Sequence, residues 1–358
     1  MLRFSIITPS FNQGPFIEAT IQSVLAQTLQ PEDLEYVICD GGSTDQTEKI
    51  VQPYRDRLRW VSEPDDGQAD AVNKGIALTS YEIIGWLNSD DVYYPGALAT
   101  VQGVFAAYPE VQVVYGAADH LDEEGRVFEE YPTEPWNYDR LRESCYICQP
   151  AVFFRRSWVQ KLGLLNSTLR YCMDYELWLR WGQTIEFYYL PRKLAGSRLY
   201  LDTKTLSQRL QVRIEINKML VQKFGTISEK WLFEYAHVKA EEAFGAFCKP
   251  LWHPVQRQML PLMWLDHLLP THPCQGPQDP LLIERSIRPF TACLVLDYAG
   301  ADPKQKFVNR FLTHSLWAFW RWQRSMPSEI VGQLFMLWWT TNFLWFKRKI
   351  KNLFRNRP

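Results

Sequence analysis

Several features that would assign this 358-residue chain to a broad class are missing from it. It has almost no net charge, with 39 Lys and Arg against 40 Asp and Glu. Its 22 Pro and 18 Gly follow no period, which excludes collagen-like and low-complexity chains. The first residues, Leu2 to Thr8, read as a strand and lack the charged start, apolar stretch and small-residue cleavage site of a signal peptide. With an odd set of seven Cys, that start predicts a reduced, cytoplasmic protein. Cys145 and Cys148 have CxxC spacing, but no second pair stands at a matching interval, so a structural zinc site is not expected. The six His are dispersed and single out no metal cluster, and no solenoid-type repeat is present.

What is there is a globular composition, 46% apolar and 22% charged, in a chain long enough for a substantial core. The first half alternates short apolar runs with helix-like stretches, the pattern of an α/β protein with a mostly parallel sheet. Strands are expected at Phe4–Thr8, Leu34–Cys39, Leu58–Ser62, Tyr81–Leu87, Val111–Tyr115 and Ala151–Arg155. Helices are expected between them, at Phe16–Gln27, Ser43–Tyr54 and Gln68–Leu78. After about residue 205 helical periodicity takes over, in Leu206–Phe224 and Ser228–Phe247, and Lys249–Pro289 reads as a long irregular connection. Three segments follow: 1–205, a helical extension at 206–303, and a tail at 304–358.

In a parallel sheet, ligands bind outside the carboxyl ends of the strands. Three such ends carry polar motifs: Thr8-Pro9-Ser10-Phe11-Asn12, Asp40-Gly41-Gly42-Ser43-Thr44-Asp45 and Asn88-Ser89-Asp90-Asp91. The glycines allow a sharp turn and a close backbone approach to a ligand, with a helix N-terminus just behind; a plain capped turn explains the same residues. Asp90 and Asp91 place two carboxylates side by side after an apolar strand, an arrangement that a divalent cation compensates. A solvated turn before Pro95 is the alternative.

These pieces resemble glycosyltransferase family 2, the inverting nucleotide-sugar enzymes with a GT-A fold. The likeness spans roughly residues 3–205 and includes Glu63-Pro64-Asp65-Asp66-Gly67, Asp70-Ala71-Val72-Asn73-Lys74-Gly75 and Met173-Asp174-Tyr175-Glu176-Leu177-Trp178-Leu179-Arg180. The resemblance implies a Rossmann-like sheet flanked by helices, with a C-terminal helical extension. It implies that Pro9 and Phe11 line the nucleotide pocket, that Asp40 contacts the base, and that Asp66 and Asp70 lie near the nucleoside. Asp90 and Asp91 would hold Mn²⁺ or Mg²⁺ on the donor diphosphate, and Asp174 falls where the family keeps its catalytic base. Asp174 also suits a helix N-cap. Inversion needs only one base and one cation, and no second carboxylate stands out as a nucleophile.

Three positions depart from the family pattern. Asn88 stands where many relatives have an Asp, Val72 where many have an Arg, and Tyr200 where a His is common. Arg198 or Lys204 could supply positive charge for the diphosphate instead, with a solvated surface role as the alternative for either, and Gln149 belongs to a segment that faces the acceptor in relatives.

The near-zero net charge hides a division, because residues 304–358 hold 11 Lys and Arg against a single Glu. Six of the 15 Trp lie in the same tail. Its uncharged stretch Ile330–Phe346 spans 17 residues but includes Gly332, Gln333, Thr340, Thr341 and Asn342, so a spanning helix is not expected. Basic residues follow at once, the pattern of a helix lying in the membrane interface; packing of the Trp side chains on the catalytic domain is the alternative. The expected activity is transfer of a sugar from a nucleoside diphosphate sugar, UDP-linked, to a hydroxyl of a glycan or lipid-linked acceptor. Residues 328–358 would dock on an anionic membrane surface, placing a cytoplasmic protein peripherally at the inner face of the cell membrane, and no nucleic-acid partner is expected. A non-catalytic transferase-like binding protein is the first alternative. A nucleotidyltransferase is disfavoured because Ser10-Phe11-Asn12-Gln13-Gly14 carries no basic residue.

Overall fold

The apolar runs at Phe4–Ser10, Leu34–Asp40 and Ile83–Trp86 become largely buried strands, because helices cover both faces of the sheet, while Arg59–Ser62 stays partly exposed at its edge. The structure is a computed structural model that describes residues 2–228 and positions 230, 231, 234, 235 and 238. The chain divides into two compact units, Met1–Glu234 and Tyr235–Pro358. Residues 206–234 fall within the first of these units. The basic tail and the segment Lys249–Pro289 lie outside the described residues.

In chain order the elements are β1 (Phe4–Ser10), α1 (Ile17–Leu25), β2 (Leu34–Asp40), α2 (Thr47–Val51), β3 (Arg59–Ser62), α3 (Gln68–Leu78) and β4 (Ile83–Trp86). They continue with β5 (Val92–Tyr93), α4 (Ala97–Ala107), β6 (Val113–Leu121), β7 (Val127–Glu130), α5 (Tyr138–Glu143), β8 (Val152–Arg155) and α6 (Arg156–Leu162). The last are α7 (Met173–Gly182), β9 (Tyr188–Arg198), α8 (Lys204–Ser207) and α9 (Arg209–Phe224). The strands form one sheet in the order β3-β2-β1-β4-β8-β6-β9-β5, with β7 beside β6.

The expectation of a mostly parallel sheet holds for one half. Strands β1 to β4 pair in parallel, whereas β8 runs antiparallel to both β4 and β6. Strand β9 is parallel to β6 and antiparallel to β5, so the sheet is mixed.

Strand alternation divides the core into two layers. Ile7, Val37, Ile84 and Trp86 face the side of α3 and α7, where Val72, Ile76, Leu177, Trp178 and Trp181 meet them. Ile6, Ile38 and Ile83 face the side of α1 and α4, against Ile21, Val24, Leu98 and Val101. Gly75 is required by close packing, since a Cβ there would lie 2.3 Å from Ile7 Cγ2. Each fully buried aliphatic side chain contributes about 1.5–3 kcal/mol, so this two-sided core holds the strand ends rigidly. Register then brings Ser10 beside Asp40, and Asp40 beside Ser62, at one edge of the sheet.

Candidate active site

The loops after β1 and β2 are stitched together. Asn12 adopts a left-handed backbone (φ 53°). Its amide nitrogen donates to Ser43 Oγ (2.7 Å) and its side-chain Oδ1 accepts from the Thr44 amide (2.9 Å). Asp40 is buried, and its carboxylate accepts from the Gly42 and Ser43 amides and from the Ser43 and Ser62 hydroxyls. Asp40, expected at the base, therefore spends much of its hydrogen-bonding capacity on shaping its own turn. Pro9 lies within β1, and Phe11 projects from the joined loops with 59% of its surface exposed. The Ser10 hydroxyl, buried at the strand end, has no partner among the described residues.

The residues before α3 make the second wall. Pro64, Asp65, Asp66, Asp70 and Lys74 line a cleft of about 370 Å³, which gathers two of the expected nucleotide-binding residues. Asp70 accepts from the Asp66 amide, and that bond lowers its carboxyl pKa despite some burial. Lys74 bridges Glu63 and Asp70 at 3.2 and 3.3 Å. Gly67, the helix N-cap, has φ +104°, and a Cβ on it would strike the Arg170 guanidinium, which donates to the Asp66 carbonyl. Lys204 Nζ donates to Gln68 Oε1 (3.2 Å), within electrostatic range of Arg170 and Asp90.

The third loop is wired through Asn88. Its Oδ1 accepts from Gln68 Nε2 (2.7 Å) and Trp86 Nε1 (2.8 Å). Its Nδ2 donates to Asp91 Oδ2 (3.2 Å) and Gln149 Oε1 (2.9 Å). An aspartate at this position would lack both N–H donors and would face two acceptor oxygens, which accounts for the departure from the family pattern. Gln149, expected at the acceptor, is 8% exposed and also donates to the Trp86 carbonyl (2.6 Å).

The two adjacent carboxylates differ. Asp91 is buried, and its Oδ1 accepts from the Arg198 amide (2.9 Å) while its Oδ2 accepts from Asn88. Asp90 is less enclosed and its Oδ2 accepts from the Tyr200 hydroxyl (3.3 Å). Burial raises both pKa values, and the charge of Asp90 raises Asp91 further. Arg198, expected at the diphosphate, is 9% exposed; its guanidinium donates to the Asp90 carbonyl (2.6 Å) and lies over the Phe16 ring. It braces the Asp90–Asp91 turn from behind.

Among the described residues no three His, Cys, Asp or Glu side chains are grouped as a metal cage. One outward carboxylate, with a second behind it, fits Mg²⁺ or Mn²⁺ whose remaining positions are filled by phosphate oxygens and water. Burial raises the thiol pKa values of Cys145 and Cys148.

Asp174 lies in the first turn of α7. It is partly exposed, and its flanks, Met173 and Tyr175, are buried. Burial pushes its carboxyl up to about 6, against a hydrogen bond from the Tyr175 amide, and Glu215 adds repulsion. Such a group is largely ionised at neutrality and accepts a proton readily. Sequence patterns did not single out Gln68, Trp86, Arg170 or Glu215, whose contributions come from contacts distant along the chain.

The geometry has counterparts in known proteins. Residues 5–163 match the Glycosyl transferase family 2 model. The uncharacterized glycosyltransferase RP339 of Rickettsia prowazekii is 27% identical over 214 residues, covering 56% of this chain and 65% of that protein. Chondroitin synthase of Escherichia coli is 28% identical over 215 residues, 59% of this chain and 31% of that protein. The chain thus spans less than two thirds of the length of these curated relatives. S. aureus TarS 1–349, solved in complex with UDP-GlcNAc, superposes with a TM-score of 0.52 at 14% identity, covering 88% of this chain and 90% of that one. That likeness is one of fold, and the fold is GT-A. What the family model covers is a Glycosyl transferase family 2 domain at residues 5–163.

Proposed function

We propose that this protein transfers a sugar from a nucleoside diphosphate sugar, UDP-linked, to a hydroxyl of a glycan or lipid-linked acceptor, with inversion at the anomeric carbon. The observation that carries the proposal is the pairing of a donor cleft at Asp66 and Asp70 with a carboxylate, Asp174, poised near neutrality. The UDP-GlcNAc complex of TarS, which shares the fold, supports a UDP-linked donor.

In this reading the nucleoside lies against Pro9, Phe11 and the Asp40 turn, with Asp66 and Asp70 beside it. Lys204 and Arg170 supply positive charge toward the diphosphate, where Val72 supplies none. Asp174 takes the proton from the acceptor hydroxyl as its oxygen bonds to the anomeric carbon. The bond from that carbon to the diphosphate oxygen breaks, and the nucleoside diphosphate leaves with the electron pair. A single displacement inverts the centre. Asp90, backed by Asp91, would hold a divalent cation, which when bound supplies Lewis-acid stabilisation of the departing diphosphate. Gln149 keeps the loop at the acceptor side fixed.

The test is a panel of UDP- and GDP-sugars screened with Mn²⁺ for thermal stabilisation and turnover, since a donor that binds the native state raises its apparent stability. Stabilisation by one donor and turnover abolished in Asp174→Asn support the reading; absence of both with every donor overturns it. Residues 328–358 are proposed to dock on anionic membrane, with liposome co-sedimentation of the full chain and of a chain ending at 327 as the check. Equal, salt-independent partitioning of the two overturns that part.

A further inference from the structure

Helix α7 begins without a cap of its own. Cys172 occupies its N-cap position and makes no side-chain capping hydrogen bond. The first N–H groups of a helix, and those of the turn entering it, need acceptors from elsewhere. Here they come from a different helix. The Glu215 carboxylate on α9 accepts from three successive backbone amides: Arg170 (2.9 Å to Oε2), Tyr171 (2.7 Å to Oε1) and Cys172 (2.9 Å to Oε1).

We infer that Glu215 is a positioning residue for Asp174, holding the strap Arg170–Tyr171–Cys172 so that the first turn of α7 presents its carboxylate to the acceptor. The inference rests on the assignment of Asp174 as the base. It also makes α9, which lies beyond the family-model match, part of the catalytic apparatus.

The strap has further anchors. The Arg170 guanidinium donates to the Asp66 carbonyl at the donor cleft, and the Tyr171 hydroxyl donates to Gln208 just before α9. The segment that carries the base is thereby tied to the donor loop on one side and to α9 on the other. Farther along α7, Lys223 of α9 pairs with Glu176 (2.9 Å), which also pairs with Arg180. Helix α9 therefore holds α7 through Lys223 and Glu176, while Glu215 reaches the backbone of the turn before Asp174.

The charge on Glu215 has its own effect, because repulsion between the two carboxylates favours protonated Asp174. Other titratable groups facing Asp174 are Tyr131, Cys145, Cys148 and Cys172, with Arg213 close to Cys145. These thiols and the phenol stay neutral across the working range, because burial raises their pKa values. Removing the Glu215 charge is thus expected to let Asp174 ionise at lower pH.

The experiment uses the full chain as wild type, Glu215→Gln, Glu215→Ala, Lys223→Met and Asp174→Asn. Hydrogen exchange of the amides at 170–172 needs no substrate. Both Glu215 variants should exchange there roughly tenfold faster or more, while Lys223→Met leaves them protected. The second readout is hydrolysis of the nucleotide sugar that wild type turns over in the donor panel. In Glu215→Gln, kcat should fall roughly tenfold to a hundredfold with donor KM unchanged. The acid limb of its pH profile should move to lower pH, whereas the limb of Lys223→Met stays in place. Unchanged exchange in both Glu215 variants overturns the inference, even if one of them is less stable. So does a loss of turnover in Glu215→Gln with the acid limb unmoved, because a merely structural contact produces that result. Full turnover in Asp174→Asn, or no turnover of any donor by wild type, instead removes the assignment of the base.

Discussion

The proposed donor side and the proposed acceptor side of this sheet edge are built by opposite strategies. On the donor side, loops that follow neighbouring strands close on each other, as Asn12 does on Ser43 and Thr44, and Asp40 on Ser62. The contacts follow from strand register, so once β1, β2 and β3 are paired their ends have little choice. On the acceptor side Asp174 opens a helix whose entry is held by a residue some forty positions later in the chain. The difference is that a parallel sheet organises its own strand ends, while a carboxylate such as Asp174, the proposed base, brought in on a separate helix must be fixed by something outside the sheet.

The sharpest way to test that contrast is to remove the base. Asp174→Asn is expected to lower turnover roughly 10²–10⁴-fold, with UDP binding by calorimetry unchanged, because the tie between the two sides runs through Arg170 and Asp66 and not through the Asp174 carboxylate. Equal loss of UDP affinity would break the comparison. Asp90→Asn works from the donor side: turnover is expected to fall roughly 10²-fold, and added Mn²⁺ should no longer increase UDP affinity. Chelation of the wild type with EDTA should copy that effect, with Mn²⁺ restoring activity.

A smaller effect concerns pH. With its pKa near 6, Asp174 is protonated below that value, so turnover should fall as pH drops through about 6. The linkage to stability has the opposite sign. A carboxyl whose folded pKa exceeds its unfolded value favours the folded state below the unfolded pKa, and that contribution is lost as pH rises through 6. Asp174→Asn should therefore raise Tm more at pH 8 than at pH 4, by thermal melts. An equal gain at both would mean that the carboxylate is not constrained by its surroundings.

The smallest of these effects sharpens the donor side. Asn88→Asp removes two N–H donors and sets a carboxylate against Gln149 Oε1 and Asp91 Oδ2. A loss of about 1–3 kcal/mol is expected, read as a Tm lower by several degrees. An unchanged Tm would show that the turn is not held through that amide.

The sequence made the donor side legible because β1, β2 and β4 are short apolar runs ending in Gly, Asn and Asp, and each feature has a local cause. Strand β9 escaped detection. Its Tyr188–Arg198 stretch mixes Pro191, Arg192 and Lys193 into the pattern, and its pairing with β6 shifts register at Gly116 and Ala117, so no period of two survives. Helix α4 escaped as well, since Ala97–Ala107 has no clear polar face. Arg198 shows the limit for sites. Its charge suited a phosphate, yet burial and its bond to the Asp90 carbonyl turn it inward. Glu215 gave no local signal, because three backbone amides leave no mark on sequence.

The amide of Asn88 also has a consequence for inheritance. Because it donates to Gln149 and Asp91 while accepting from Gln68 and Trp86, a lineage that exchanged it for an acid would gain nothing until Gln149 changed too. Descendants of such a chain are expected to keep these residues together or to replace them together, so that the paired substitution is tolerated where either single one is not.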